Sequence, residues 1–151
     1  MSVEDKLKKL GIQLPPLPQP AGAYTPAIAA EGLVFVSGQL PLKDGVIQYP
    51  GILGRDLEIE AGYAAARLCA LNALSILKAE SGDLDKVSIV RLGGYVAASD
   101  DFTGHPKVVN GASDLMAEIL GTRGIHARLA VGVSSLPMNA AVELEVVAAV
   151  S

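Results

Sequence analysis

The fold is decided by Ala127-Arg128-Leu129-Ala130-Val131-Gly132-Val133-Ser134-Ser135-Leu136-Pro137, followed shortly by Val142-Glu143-Leu144-Glu145. Both segments alternate, which predicts two β-strands, over 126–133 and 140–150. In the first strand Arg128 shares a face with His126, Ala130 and Gly132, and the other face is apolar. In the second strand Glu143 and Glu145 lie opposite an apolar row.

The link across Leu136-Pro137 predicts that these two strands form a hairpin, with their apolar rows turned to the helices. A turn centred between Ser135 and Leu136 would place Arg128 opposite Glu143. A centre one residue later would place it opposite Glu145, with cross-strand Cβ atoms roughly 5 Å apart in either register. Such a pair is either a solvated ion pair worth about 0–1 kcal/mol or part of a binding site, for which the small neighbours leave room.

The segments before this pair supply the other elements. Ser2 caps a short helix that ends at Gly11, and the proline-rich residues 14–20 form an extended arm. Strands are predicted over 24–29 and 33–36, the second covered on both faces. Lys43-Asp44-Gly45 signals a hairpin.

Two helices and one more strand follow. The first helix spans Leu57–Glu80, with Asp56 as its cap and Gly82 after its end. A strand covers 87–96, and Pro106 opens a second helix that Gly121 closes. The order β-β-β-α-β-α-β-β predicts an α+β fold. Residues 1–21 are interpreted as an N-terminal helix and arm, and residues 22–151 as a single domain.

Composition excludes several classes of protein. The 151 residues are 50% hydrophobic and 19% charged, which is a globular composition. A net charge of −4, 4% aromatic residues and no tryptophan argue against a nucleic-acid surface. The sequence contains no uninterrupted run of 18 apolar residues, so no membrane span is predicted. The charged N-terminus has no signal-peptide core, so a cytoplasmic location is expected.

The candidate metal ligands and nucleophiles are few. His105 and His126 are not a closely spaced pair, and neither has a cysteine partner, so no metal site is predicted. His126 precedes Arg128 on the charged face and could instead tune a pocket there. Cys69 is the only cysteine and lies in an apolar helical pattern, so a buried, inert thiol is expected.

Four motifs in order resemble the Rid/YjgF family. The final one is the Arg128 segment quoted above with its Val142-Glu143-Leu144-Glu145 sequel. The others are Gly22-Ala23-Tyr24-Thr25-Pro26-Ala27-Ile28, then Val34-Phe35-Val36-Ser37-Gly38-Gln39-Leu40-Pro41, then Asp101-Phe102 with Val109-Asn110. The resemblance covers residues 22–150. At Ala130, where the family often has a cysteine or another small residue, this chain has no thiol. Its greater length indicates a longer branch of the family.

The resemblance implies a chorismate-mutase-like fold, with a mixed sheet, two main helices on one face, and a homotrimer with an inner barrel and intersubunit clefts. It also implies a deaminase that hydrolyses enamines and imines such as 2-aminoacrylate to 2-keto acids and ammonia, without a metal or organic cofactor. By position, Arg128 would bind the substrate carboxylate and Glu143 would hold or activate water. Tyr24, Ser37, Gly38, Asn110 and Ala130 would line the cleft.

Two alternatives to the enzyme remain open. A trimer that binds a small carboxylate without catalysis would keep Arg128 and serve as a sensor or partner protein. An endoribonuclease or translation inhibitor, a label attached to relatives, is disfavoured by the acidic charge and the absence of basic clusters. Release of a 2-keto acid separates the first alternative from the enzyme.

Overall fold

The computed structural model describes residues 1–19 and 22–151. A short helix comes first, then four strands, then two long helices separated by a strand, and finally two strands. Their bounds are α1 Val3–Lys9, β1 Ala27–Ala30, β2 Leu33–Gln39, β3 Leu42–Lys43, β4 Val46–Ile47, α2 Ile59–Ser81, β5 Val87–Ala97, α3 His105–Leu120, β6 Ala127–Val133 and β7 Val142–Val150. The predicted α+β order is confirmed, with the third predicted strand folded into the small β3–β4 hairpin.

Local signals set several boundaries as expected. The Ser2 hydroxyl accepts from the backbone N–H of Asp5, and the Asp5 carboxylate accepts from Ser2, which forms a capping box on α1. The β3–β4 turn places Asp44 and Gly45 at φ values of 52° and 76°, as a type I′ hairpin requires. The predicted cap of α2 was wrong: the helix begins after Glu58, and the Asp56 carboxylate instead accepts from the Ile52 N–H and pairs with Arg55.

Five strands form one mixed sheet in the order β1-β2-β7-β5-β6. β5 runs parallel to β6 and antiparallel to β7, and β7 also pairs antiparallel with β2. The predicted hairpin of the last two strands was therefore wrong, because β5 lies between them. The connection over residues 134–141 is longer than the two to five residues of a hairpin loop, so it can cross the end of β5.

Both long helices pack on one face of the sheet. Small side chains on α2 let it sit close to the strands, and Gly111 brings α3 against α2, since a Cβ at that position would overlap the Tyr63 carbonyl oxygen. The buried small residues of α2 include Ala65, Ala66, Cys69, Ala70 and Ala73. Within the described ranges, no helix combines the length and apolar character needed to cross a bilayer.

The other face of the sheet is open in a single chain. Val34 and Val36 of β2 are buried under the helices, whereas Phe35 between them is 46% exposed. The expectation that β2 is covered on both faces is thus wrong for one chain. Ile28 and Leu129 are also exposed on this side, so apolar side chains of β1, β2 and β6 lie on the open face, with the charged side chains of β5 and β7 between them.

Candidate functional site

Arg128 lies on β6, which is an edge strand of the sheet, and on the face that the helices cover. Its Cα partner across the parallel ladder is Leu92, which is fully buried under the helices, and paired residues share a face. The apolar residues Leu129 and Val131 lie on the open face instead. The predicted assignment of faces was therefore wrong for β6, because its apolar row lies on the open face and its Arg128 row lies on the helix face.

Helix α3 positions the Arg128 guanidinium. Nη1 donates to Asn110 Oδ1 at 2.8 Å and to Ser113 Oγ at 3.1 Å, and Nη2 lies 3.4 Å from the Pro106 carbonyl oxygen. Positions 106, 110 and 113 are three or four residues apart and so present one face of the helix. We call Arg128, Asn110, Ser113 and the Pro106 carbonyl the Arg128 cluster.

The partners of Arg128 are electrically neutral. Within residues 1–19 and 22–151, no carboxylate lies within 4.0 Å of its guanidinium nitrogens. Both hydrogens of Nη1 are engaged, whereas Nε makes no hydrogen bond among these residues. The guanidinium is held in place while the edge formed by Nε and Nη2 keeps donors for an anion, which a carboxylate could accept in bidentate fashion.

Glu143 lies elsewhere in the chain. It stands on β7, pairs with Tyr95 of β5, and points to the open face of the sheet. The predicted cross-strand pairing of Arg128 with Glu143 or Glu145 was therefore wrong: β5 separates the two strands, and the charged groups point to opposite faces. Glu145 instead accepts from Arg91 at 2.7 Å and from the Tyr95 hydroxyl at 3.4 Å.

The Glu143 carboxylate packs against Gly38 of β2. A Cβ at position 38 would overlap the Glu143 carboxylate, so any larger residue there would displace that carboxylate from its present position. Burial, and to a smaller extent the charge of Glu145, raises the pKa of Glu143 above its ordinary value. A half-buried carboxyl group of this kind can accept or release a proton closer to neutral pH than an exposed one.

Ser37 and Gly38 are neighbours near the end of β2, and Tyr24 lies just before β1. The Ser37 hydroxyl donates to the Thr25 carbonyl oxygen at 2.6 Å, which ties the end of β2 to the residue after Tyr24. The Tyr24 side chain is exposed. We call Glu143, Gly38, Ser37 and Tyr24 the Glu143 group. Within one chain the structure brings Asn110 to Arg128, but it does not bring the Glu143 group there.

Ala130 follows Arg128 on the same face of β6 and packs against the core, where it is half-buried. Farther along the strand, Gly132 faces His105, since a Cβ at position 132 would lie 2.5 Å from His105 Nε2. His105 and Gly132 line an open pocket of about 320 Å³ at the ends of β5 and β6. The Arg128 face of β6 therefore continues, at Gly132, into a concavity that Phe102 and His105 also line.

Sequence reasoning missed Ser113 and left His126 without a partner. The structure joins them: His126 Nε2 lies 2.9 Å from Ser113 Oγ, and His126 Nδ1 lies 2.6 Å from the Gly124 carbonyl oxygen. A usable signal was present, since Ser113 is three residues after Asn110 on a helix and His126 is two residues before Arg128 on a strand.

Comparison with known proteins gives a consistent result. The family model described as "YjgF/chorismate_mutase-like, putative endoribonuclease" matches residues 4–150. Protein TCP17 of Trypanosoma cruzi is 44% identical over 145 residues, covering 95% of this chain and 91% of that protein. A RutC family protein of Aquifex aeolicus is 28% identical, covering 91% of this chain and 96% of that protein.

Solved structures agree with the fold. A protein of unknown function from Agrobacterium tumefaciens superposes with a TM-score of 0.92 at 42% identity, covering 99% of this chain and 92% of that chain. A structure from Shewanella oneidensis, described as a "putative endoribonuclease", gives a TM-score of 0.95 at 34% identity and covers 99% of this chain and all of that one.

Proposed function

Because this chain belongs to the YjgF/chorismate-mutase-like family, we propose that it binds a small carboxylate at Arg128 and hydrolyses enamines or imines of 2-keto acids, such as 2-aminoacrylate. The observation that carries the proposal is the Arg128 guanidinium, fixed by Asn110 and Ser113 with no acidic partner among the described residues. A charge positioned by neutral groups is an anion receptor, because no internal carboxylate competes for it.

The reaction needs little more than positioning. Water adds to C2 of a carboxylate-bearing imine, and ammonia then leaves to give the 2-keto acid. Arg128 fixes the carboxylate, and a second carboxylate must accept a proton from the water. Glu143 suits that role because its pKa is raised. Imines of this kind are reactive by themselves, so holding both reactants supplies much of the acceleration.

Arg128 and the Glu143 group lie apart within one chain, and this separation favours a site shared between subunits. We propose a homotrimer in which the Arg128 cluster of one subunit meets Glu143, Gly38, Ser37 and Tyr24 of its neighbour. The exposed apolar side chains on the open sheet face support association, since burying them against another copy is favourable by about 25 cal/mol per Å².

A non-catalytic carboxylate-binding trimer is the second candidate. It is favoured by the fact that Glu143 lies outside the Arg128 cluster of the same chain, so anion binding does not depend on it. The endoribonuclease function named in the family description fits this chain less well. Its net charge of −4 repels a phosphate backbone.

The deciding experiment measures ammonia release from enzymatically generated 2-aminoacrylate and 2-iminobutanoate. Wild type should accelerate it, and Arg128→Ala should lose at least about 100-fold, since the charge-assisted fork contributes roughly 3 kcal/mol. Arg55→Ala, which breaks an exposed ion pair in a loop, is the matched control and should keep full activity. Carboxylate binding without acceleration by pure wild type would leave the binder as the correct account.

A further inference from the structure

The Arg128 cluster contains a second polar pair whose hydrogens are fixed by the geometry. His126 Nδ1 lies 2.6 Å from a backbone carbonyl oxygen, that of Gly124, which can only accept. Nδ1 therefore carries the hydrogen. In the neutral ring, Nε2 is then a bare acceptor, and the Ser113 hydroxyl 2.9 Å away must donate to it.

This arrangement leaves Ser113 without a hydrogen for a ligand. Its single O–H is turned to His126, while its oxygen accepts from Arg128 Nη1 at 3.1 Å. If His126 takes up a proton at Nε2, the direction reverses: Nε2–H donates to Ser113 Oγ. The oxygen then accepts two hydrogen bonds, and the Ser113 O–H is free to turn to a group bound beside Arg128.

We propose that Ser113 is a further ligand-contacting residue of the Arg128 cluster, and that His126, acting through it, is a positioning residue that takes up a proton when a small carboxylate binds. The inference rests on the proposed carboxylate binding at Arg128 and not on turnover. A bound carboxylate favours the charged imidazole for two reasons: it supplies an opposite charge, and it accepts from the released hydroxyl. Proton and carboxylate therefore bind with positive coupling.

Other charged groups lie on the elements that surround His126, namely α3, the turn before β6, β6 itself and β5. On α3, the Asp114 carboxylate accepts from Tyr63 at 2.7 Å, and the charge of Glu118 acts on the same tyrosine. On the turn before β6, Arg123 donates to backbone carbonyls that include Leu84 and to the Asp85 carboxylate. On β6, Arg128 is the remaining charge, and it opposes proton uptake until a ligand neutralises it. On β5, Arg91 points to the opposite face.

The chain offers a matched control, because it has two histidines. His105 lies at the amino end of α3 against Gly132 and makes no side-chain hydrogen bond among the described residues, whereas His126 is joined to Ser113. If another group took up the proton, or if both histidines did so equally, the His126→Gln and His105→Gln variants would behave alike. Loss of proton uptake in His126→Gln with retention in His105→Gln assigns it to the relay.

The test is isothermal titration calorimetry of 2-oxobutanoate into the whole protein, in two buffers of different ionisation enthalpy, from about pH 6 to 8. This probe keeps its negative charge throughout. Wild type should take up as much as about one proton per site, and its affinity should fall by up to about tenfold per pH unit as pH rises. His105→Gln should behave as wild type.

The variants separate a relay from a merely structural hydrogen bond. His126→Gln and Ser113→Ala should bind 2-oxobutanoate with no proton uptake and a flat pH dependence. Ser113→Thr keeps the hydroxyl and should restore both properties. Binding by wild type without proton uptake, or with uptake that survives in folded Ser113→Ala, overturns the inference and leaves the proposed function standing. If folded wild type does not bind 2-oxobutanoate, both the inference and the proposed carboxylate binding are overturned. If wild type releases ammonia from 2-aminoacrylate but binds 2-oxobutanoate without proton uptake, only the inference is overturned.

Discussion

The side chains of Arg128 and Asn110 are joined by a 2.8 Å hydrogen bond that ties the edge strand β6 to helix α3. The amide oxygen aims the guanidinium without cancelling its charge. An aspartate in its place would aim the guanidinium equally well and would also neutralise it. The pair therefore separates the orientation of Arg128 from its availability to a ligand.

Asn110→Asp should consequently weaken carboxylate binding while preserving the fold. The new carboxylate would form an internal ion pair with Arg128 and compete with the ligand, so we expect affinity for 2-oxobutanoate to fall at least about tenfold, which is 1.4 kcal/mol. Calorimetric titration checks the affinity. Asp114→Asn, about one turn further along the same helix, is the control for altered charge on α3 and should not weaken binding.

The open sheet face should control the oligomeric state. Phe35→Glu places a charge within the exposed apolar surface, so we expect the assembly to dissociate to monomers, as seen by light scattering coupled to size-exclusion chromatography. Val46→Glu alters a more exposed apolar residue, on the separate β3–β4 hairpin, and should leave the assembly intact. A wild-type monomer would contradict the proposed trimer.

Glu143 should make stability depend on pH. Because its pKa is raised by burial and then by Glu145, the folded protein binds its proton more tightly than the unfolded chain. The free energy of unfolding therefore falls as pH rises from the unfolded pKa through the folded one. Glu143→Gln removes this loss, so the variant should gain stability relative to wild type between pH 4 and pH 7.

The gain should stay below about 1 kcal/mol, since the carboxylate is half-exposed and solvent screens it. Thermal unfolding of both proteins at the two pH values measures it. Glu145→Gln is the comparison: it breaks the 2.7 Å pair with Arg91 and should not stabilise the protein at pH 7. An equal effect of Glu143→Gln at both pH values would contradict the burial of this carboxyl group.

Gly111→Ala should destabilise the helix layer. Alanine normally stabilises a helix relative to glycine by roughly 0.5–1 kcal/mol. Here its Cβ would overlap the Tyr63 carbonyl oxygen of α2, which cannot move without displacing that helix. We expect a net loss of about 1–3 kcal/mol in the free energy of unfolding, measured by denaturant titration. Lys107→Ala, at an exposed site of α3, should change it by less than about 0.5 kcal/mol.

Cys69 should be unreactive until the protein unfolds. Burial raises the pKa of its thiol well above the ordinary value, and the thiolate is the reacting species. Labelling by a chromogenic disulfide should be at least about 1,000-fold slower in native protein than in denaturant, because a stable domain unfolds that rarely. Because the chain has one cysteine, the labelling signal comes from Cys69 alone. Fast native labelling would show an open path beside α2.

Local sequence signals predicted most elements of the fold. Ser2, the Asp44-Gly45 turn, and Pro106 with Gly121 each act through backbone groups a few residues away, so the sequence carries their effect directly. The position of β7 could not be predicted in the same way. It depends on β5, the longest strand, taking a place between two strands that are neighbours in sequence. The residues of the β6–β7 connection do not encode that choice.

Of the residues that were predicted to line a site, the structure brings Asn110 to Arg128 and leaves the Glu143 group elsewhere in the chain. Arg128 and Asn110 were expected together and lie together. The face of Arg128 was misjudged because alternation separates the two faces of a strand without saying which one the helices cover. On β6 the more apolar row, with Leu129 and Val131, faces away from the helices. Ser113 was missed although it lies three residues after Asn110, because that spacing becomes a signal only once α3 is known to pack against Arg128.

The central place of β7 also bears on how the chain folds. β2 and β5 make no ladder with each other, and each finds its inner partner in the last strand along the chain. During synthesis the inner edges of the β1–β2 pair and of the β5–α3–β6 unit therefore stay unpaired until residues 142–150 emerge. The sheet closes late, through contacts distant in sequence, which slows folding and exposes nascent strands to mispairing.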